Sequence, residues 1–226
     1  MSTATAPKRT ARPRRQYGGI SAEQRRSERR EKLMLAGKKV FGGQGIQAAT
    51  VKQICTEAGL TERYFYESFK NLEEMFNAVY DRELDSLREA LVSEITQGPL
   101  NNIEDITRRA LQRYFSILQD DPWGARILII EVYGTTHDME RLYRRGVYEF
   151  AEIIRGIIET RFAPRKDSVL DAGLLSTAVV GAHIHVAMRW LLSGYSEPRE
   201  KVVENCLTII TSVAEKLATP QAIKGR

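Results

Sequence analysis

Cysteine is nearly absent from this 226-residue chain: Cys55 and Cys206 stand alone and far apart. A disulfide scaffold needs dense cysteine, so the pair fits a reducing compartment, and the expected location is cytoplasmic. Both lie on apolar helical stripes and read as small core residues. Histidine is equally scarce, with His137 expected in a loop and His183 and His185 on a helical stretch. Residues at i and i+2 of a helix lie about 200° apart and cannot share one metal ion as an i, i+4 pair can. There is no supporting Cys or carboxylate cluster, and no phosphate loop, dinucleotide fingerprint or nucleophile elbow. Neither an enzyme, a metal site nor a resident cofactor is expected. Long apolar runs are also missing. The longest uncharged stretch, Ala172 to Met188, spans 17 residues and contains two histidines, which suits a buried or interface helix better than a membrane span. No apolar segment follows the basic N-terminus, so no secretory leader is expected. Period-2 alternation and internal repeats are absent too.

What is present is charge, unevenly placed. The net charge is +5, but residues 1–70 hold 15 Lys and Arg against 6 Asp and Glu, a balance of +9, and residues 71–226 carry −4. A basic third on a mildly acidic remainder points to a polyanionic partner, nucleic acid before membrane. Residues 1–20 hold Lys8, Arg9, Arg12, Arg14 and Arg15 interrupted by Pro7 and Pro13, with almost nothing to bury. They read as a flexible arm suited to a minor groove, or else as a solubilising tail.

Helical periodicity starts after Ser21, which has capping-box spacing to Gln24. Leu33, Ala36, Gly37, Val40 and Phe41 recur at i, i+3, i+4, i+7 and i+8, and Gly42, Gly43 and Gly45 are expected to end that helix. Thr50 and Gln53 form a second capping box ahead of the stripe Val51, Ile54, Cys55, Ala58. Gly59 supplies a turn, and Thr61 is expected to cap a third helix from Glu62 to about Lys70. Longer helices follow over Leu72–Thr96, Ile103–Gln119, Trp123–Tyr133, Asp138–Phe162, Ser168–Leu192 and Arg199–Leu217, separated by Gly, Pro and Asp breakers. The expected class is all-α.

Two short helices around a Gly turn match a helix-turn-helix, whose second helix lies in the major groove. Phe65 and Phe69 at i, i+4 face the core, leaving Arg63, Tyr66 and Lys70 on one outward stripe. Arg63 offers a fork to a guanine edge, Tyr66 and Lys70 suit phosphate oxygens, and Tyr64 is expected exposed beside a thymine methyl. A plain solvated face would carry a similar stripe. The first helix holds Arg25, Arg26, Arg29 and Arg30 among Glu23, Glu28 and Glu31, and Glu28 and Lys32 have pairing geometry, so some of these arginines are expected to serve the helix and not the DNA.

From about Lys32 to Tyr80 the chain resembles the TetR family of bacterial transcriptional regulators. Gly37, Phe41 and Gly45 follow the family's A-x-x-x-F-x-x-x-G rhythm, with Gly for the usual Ala. Gly59, Leu60, Thr61, Phe65, Tyr66 and Phe69 then fall on its Gly, aliphatic, Ser/Thr, three variable, aliphatic, Tyr, two variable, Phe pattern, followed by Lys70 and Glu73. The resemblance implies phosphate contacts from Thr50, Tyr66 and Lys70, and base or groove contacts from Thr61, Arg63 and Tyr64; Lys52 joins the DNA-binding set, with Arg12, Arg14 and Arg15 of the arm. Arg63 and Tyr64 are larger than is usual in the family, and Leu72 replaces a common Lys. Glu62 and Glu67 sit beside the stripe and would repel phosphate.

The expected division is an arm (1–20), a helix-turn-helix DNA-binding domain (21–71) and a larger helical effector-binding and dimerisation domain (72–226). The stretch Ser168–Leu192 is apolar on nearly all sides and needs cover from both core and partner. With Arg199–Leu217 it is expected to pair across a two-fold axis; burial at the centre of a monomer is the alternative. Tyr114, Trp123, Glu131, Tyr133, Tyr148, His183, Met188 and Trp190 are candidates for lining an effector pocket. The expectation is a homodimeric, ligand-responsive regulator of palindromic double-stranded DNA, a repressor by resemblance, with a small-molecule effector of unknown identity. An activator of the same fold and an effector-independent DNA-binding adaptor remain open.

Overall fold

The computed structural model describes residues 21–97, 103–133, 137–161 and 171–217. The arm with Arg12, Arg14 and Arg15, the breakers Gly98-Pro99 and Gly134 to Thr136, and the expected start at Ser168 lie outside the described residues. Those described form helices and turns without strands. α1 spans Ala22–Gln44, α2 Val51–Ala58, α3 Glu62–Tyr66, α4 Leu72–Gln97 and α5 Ile103–Asp120. α6 spans Pro122–Ile129, followed by a 3-10 turn Glu131–Tyr133, then α7 His137–Arg161, α8 Ala172–Leu192 and α9 Arg199–Leu217.

Local chemistry explains most of the boundaries. Ser21 accepts the Gln24 amide at 3.0 Å. Thr50 and Gln53 make the full reciprocal capping box on α2, and Gly59 closes it in the left-handed conformation at φ 64°. An N-cap of this kind contributes about 1 kcal/mol. Asp121 and Asp171 cap α6 and α8 through Gly124 and Leu174.

Some expectations are corrected. α1 runs through Gly42 and Gly43 and stops only at Gly45, where φ is 84°. Gly42 serves close approach instead: a Cβ there would lie 2.5 Å from the Trp123 Cβ, so α1 can lie against α6 only with glycine at this point. α3 ends at Tyr66, before Lys70, and Thr61 makes no side-chain cap bond. α6 stops at Ile129 and tightens into the 3-10 turn. His137 opens α7 instead of lying in a loop. No ion pair joins Glu28 to Lys32 among the described residues.

Among the described residues three apolar clusters hold the fold together. The first joins Leu33, Phe41, Ile54, Phe65 and Phe69 of α1–α3 and their following turn to Phe76 and Tyr80 of α4, and continues into Ile127, Val132, Met139 and Leu142. The second packs Phe115, Leu118, Trp190, Val203 and Cys206 where α5, α8 and α9 meet. The third is small, formed by Val147, Ala151 and Val180 between α7 and α8. α8 is long and apolar enough, by length and composition, to cross a membrane; here it packs on α7 and α9 and buries Val179, Val180, His183, Ala187 and Trp190.

Candidate DNA-reading surface and effector cavity

A five-residue helix is too short to hold itself in water, so α3 depends on its neighbours. Phe65 and Phe69 anchor it in the core at 0% and 2% exposure. Its C-terminal end is held by the arginines of α1. Arg26 Nη2 donates to the Glu67 carbonyl at 2.8 Å and Arg30 Nη1 to the Ser68 carbonyl at 2.7 Å. Arg30 also covers the Phe69 ring, and Arg29 lies 4.5 Å over the Tyr64 ring. Cations at a helix C-terminus satisfy its orphan carbonyls and complement its dipole. These arginines therefore do serve the fold, by fixing the reader helix and not through pairs within α1.

Thr61 before α3, Arg63 and Tyr66 on it and Lys70 after it are exposed, and Lys52 and Thr50 are exposed at the start of α2. Tyr64 differs from expectation: it is half-buried, beneath Arg29. The Thr50 hydroxyl is engaged by Gln53 in the capping box. Arg63 Nε donates to Glu67 Oε1 at 3.0 Å, and the second carboxylate oxygen of Glu67 is 3.9 Å from Arg29 Nη2. Glu67 is thus a paired group and not a bare charge on the surface.

A cavity of about 160 Å³ lies in the larger helical part, between α4, α5, α7, α8 and α9. Its wall runs along α4 from Tyr80 to Ile95, sixteen residues spanning about 22 Å of helix. The cavity is therefore elongated. Among the described residues no Asp, Glu, Lys or Arg lines it; the polar groups are Tyr80, Thr107, Tyr114, Tyr143 and His183 among aliphatic side chains. Burial pushes the Tyr80 and Tyr114 hydroxyls well above the usual phenol range, so both remain neutral. His183 Nδ1 is 2.5 Å from the Val179 carbonyl and Nε2 is 3.2 Å from the Cys206 carbonyl. Burial lowers the His183 pKa, against the upward pull of those two carbonyls. The Cys206 thiol is pushed up to about 12 by burial.

Of the eight residues singled out for a pocket, Tyr114 and His183 line this cavity. The other six are placed elsewhere. Trp123 sits against α1, Tyr133 stacks obliquely on Tyr143, and Tyr148 is 56% exposed. Met188 and Trp190 belong to the second apolar cluster, where the Trp190 indole donates to the Glu197 carbonyl. Glu131 accepts the Ile46 amide at 3.0 Å and pairs with Arg126 at 2.9 Å. What periodicity missed is the aliphatic lining, since an apolar residue facing a void has the same spacing as one facing a core.

Between the cavity and α1 lies a second cleft, lined by Met34, Leu35 and Lys38 of α1 and by parts of α4, α5 and α6. Leu87, Leu118 and Leu128 line both spaces and form the wall between them. In the cleft, Lys38 Nζ bridges Glu83 at 2.9 Å and Asp121 at 2.5 Å. Gly124 leaves room beside this cluster: a Cβ there would meet the Asp121 and Glu83 carboxylates at 2.4 and 2.8 Å and push them aside.

Residues 33–79 match the family model described as bacterial regulatory proteins, tetR family. The HTH-type transcriptional activator FasR of Mycolicibacterium smegmatis is 25% identical over 185 residues, covering 79% of this chain and 80% of that protein. Among solved structures, the fatty acid degradation regulator FadR from Bacillus halodurans superposes with a TM-score of 0.70 at 14% identity, over 88% of this chain and 97% of that one. The transcriptional regulator FadR from Bacillus subtilis, solved in complex with stearoyl-CoA, gives 0.68 at 16% identity, over 80% and 97%. At those identities the structural likeness is one of fold. Residues 33–79, which carry the reader helices, thus match the tetR family of bacterial regulatory proteins, and the chain as a whole shares the all-α fold of these solved regulators.

Proposed function

We propose that the chain works as a homodimer in which an effector with a long apolar chain, filling the cavity between α4 and α9, alters the placing of two reader helices on a palindromic operator. The observation that carries this reading is the shared wall of Leu87, Leu118 and Leu128. Anything that fills the cavity presses on the residues that also border the α1 cleft. Moving α4 or α6 there displaces Glu83 or Asp121 from Lys38, and α1 carries the arginines that hold α3. Half-sites read in successive major grooves are roughly 34–36 Å apart, so a small rotation of each reader suffices to favour free over bound protein. Couplings of this kind are typically about 1–3 kcal/mol, or 5–150-fold in affinity.

The cavity's chemistry supports an apolar chain over a flat polar molecule. It is elongated, about 22 Å long on the helix rise, with no charged side chain among its described lining residues, and the stearoyl-CoA complex of one fold neighbour has an acyl chain of that character. An effector-independent adaptor needs no such space, which argues against that alternative. Repression and activation call for the same protein chemistry and differ in where the operator lies. The relative named an activator keeps activation as a second reading.

Operator binding with and without a long-chain acyl-CoA tests the proposal. The wild type should change operator affinity at least fivefold on adding the acyl-CoA. Ala110→Trp, which fills the cavity from α5, should bind operator normally and lose the response. Equal operator affinity with and without acyl-CoA in the wild type would overturn the effector class. No preference of the wild type for any sequence selected from randomised duplex DNA would overturn the regulator mechanism itself.

A further inference from the structure

Glu67 has no evident reason to be on a DNA-facing helix. Its carboxylate repels phosphate, and it stands at the C-terminal end of α3, where negative charge opposes the helix dipole. Its pairing with Arg63 runs in the less favourable order, with the base N-terminal to the acid. Helix stability therefore gives no account of the pair. An ordinary exposed i, i+4 pair would also be loose, yet Glu67 is held on three sides. Its carbonyl accepts Arg26 at 2.8 Å, one carboxylate oxygen accepts Arg63 Nε at 3.0 Å, and the other faces Arg29 at 3.9 Å. Arg29 is itself seated over the Tyr64 ring.

The consequence falls on Arg63. Its side chain is 83% exposed and that of Glu67 35%, so the anchored partner is the acid and the free end is the guanidinium. A guanidinium has five N–H donors in a rigid plane. With Nε–H given to Glu67, the donors left over are those on Nη1 and Nη2, which form an end-on fork. That fork matches the O6 and N7 acceptors on the major-groove edge of guanine. An unrestrained arginine on the same surface would be equally ready to take a phosphate oxygen. The carboxylate offsets Arg63's charge and limits its orientation.

We infer that Glu67 is a specificity-positioning residue: held from α1 by Arg26 and Arg29, it presents the Nη fork of Arg63 to one guanine in each operator half-site. The inference rests on the reading of α3 as the operator-reading helix. It goes beyond that reading by naming the base and the residue that sets the choice.

The test uses the full-length protein and a duplex operator selected by the wild type from randomised DNA. Each base pair of one half-site is then varied, and binding is compared with that to unrelated duplex DNA. Arg63→Ala should lose preference for guanine at one position by about tenfold, the discrimination expected of one bidentate contact. Glu67→Ala should lose most of the same preference while binding unrelated DNA more tightly. Glu67→Gln keeps an oxygen acceptor for Nε–H without the charge, so it should retain the guanine preference and still gain affinity for unrelated DNA. The double variant Arg63→Ala/Glu67→Ala should discriminate no worse than Arg63→Ala alone. Circular dichroism melts of all four confirm that folded protein is compared. Unchanged discrimination in Glu67→Ala, with loss in Arg63→Ala, would overturn the inference, since Arg63 would then read unaided. Unchanged discrimination in both, in a protein that still selects its operator, would overturn it while leaving the regulator reading intact. A wild type with no selected operator would overturn both.

Discussion

Glu131, in the 3-10 turn after α6, accepts the backbone amide of Ile46 at 3.0 Å. The two residues are 85 positions apart in sequence, and the bond ties the loop between α1 and α2 to the helical domain that holds the cavity. Arg126 steadies the same carboxylate at 2.9 Å, and Gly45 makes room: a Cβ there would stand 2.9 Å from the Glu131 carboxylate. With the Lys38 cluster, this gives the reader two polar attachments to the α6 region.

Removing the first attachment should cost stability and communication together. Glu131→Ala leaves the part-buried Ile46 amide and Arg126 without their acceptor, a loss of about 1–3 kcal/mol. In a chain of this size each kcal/mol lowers the melting temperature by about 2–4 °C. The variant should also show a smaller effector-induced change in operator affinity. A melting temperature and effector response both equal to wild type would show that the bond carries neither role.

The second attachment has a pH signature. Burial works against the Lys38 ammonium, but hydrogen bonds and charge from Asp121 and Glu83 outweigh it and raise the pKa overall. The linked stability is complete below the free-lysine value of about 10.4 and is lost as pH rises through the higher folded value. Lys38→Met leaves two carboxylates facing each other, and the expected cost is about 1–3 kcal/mol, below that of a fully buried pair because the cluster is partly solvated. Urea midpoints from pH 8 to 11 should fall at the alkaline end for wild type, with that component absent in Lys38→Met. Parallel curves for the two proteins would count against the cluster.

His183 should make effector binding sensitive to acid. A neutral imidazole has a single N–H, so it can satisfy only one of the Val179 and Cys206 carbonyls at a time. Burial nevertheless keeps the folded pKa below the free value of about 6.5. The stability linked to this group is present above that value and lost as pH falls towards the lowered folded pKa. Protonation also places a charge among described lining residues that carry none. Affinity for a long-chain acyl-CoA should fall between pH 7 and pH 5 in wild type and fall less in His183→Leu. Identical pH profiles, measured by intrinsic fluorescence titration, would remove His183 from this role.

The α8 surface carries the proposed dimer contact. Leu174 and Leu192 are 73% and 66% exposed, and with Ala178, Gly181 and His185 they lie on one side at spacings near 3.5 residues. A Cβ on Gly181 would meet nothing within 4 Å, leaving space for a second helix to approach. Ala178→Arg should convert the protein to a monomer in sedimentation velocity and weaken operator binding roughly tenfold or more, because the second half-site contact is no longer tethered. A dimer that survives Ala178→Arg and Leu174→Glu together would place the interface on another face.

The sequence readily disclosed what depends on neighbours along the chain. The Thr50–Gln53 box, the Gly59 turn, the Phe65 and Phe69 anchor and the span of α9 are set within a few residues, and pattern alone locates them. Long-range partners were hidden. Arg26 and Arg30 look like surface charges until their acceptors, 41 and 38 residues away, are known. Trp123 and Glu131 look like pocket residues for the same reason, since only the packing of α6 against α1 turns them towards the reader. The cavity was least legible. Leu84, Ala110, Ile154 and Ile210 line it, and nothing in their spacing distinguishes lining from filling.

The first apolar cluster crosses from Phe41 and Phe65 into Val132, Met139 and Leu142 without a break. The DNA-reading helices consequently do not own a complete core. Severed after α3, they would expose the faces that Ile127 and Met139 cover, and such a fragment should collapse loosely instead of folding. Calorimetry on the whole chain should show a single endotherm. For anyone wishing to transplant this reader onto a different sensor, the α6 to α7 junction has to travel with it, because the grafted unit is defined by shared packing and not by where the DNA contacts end.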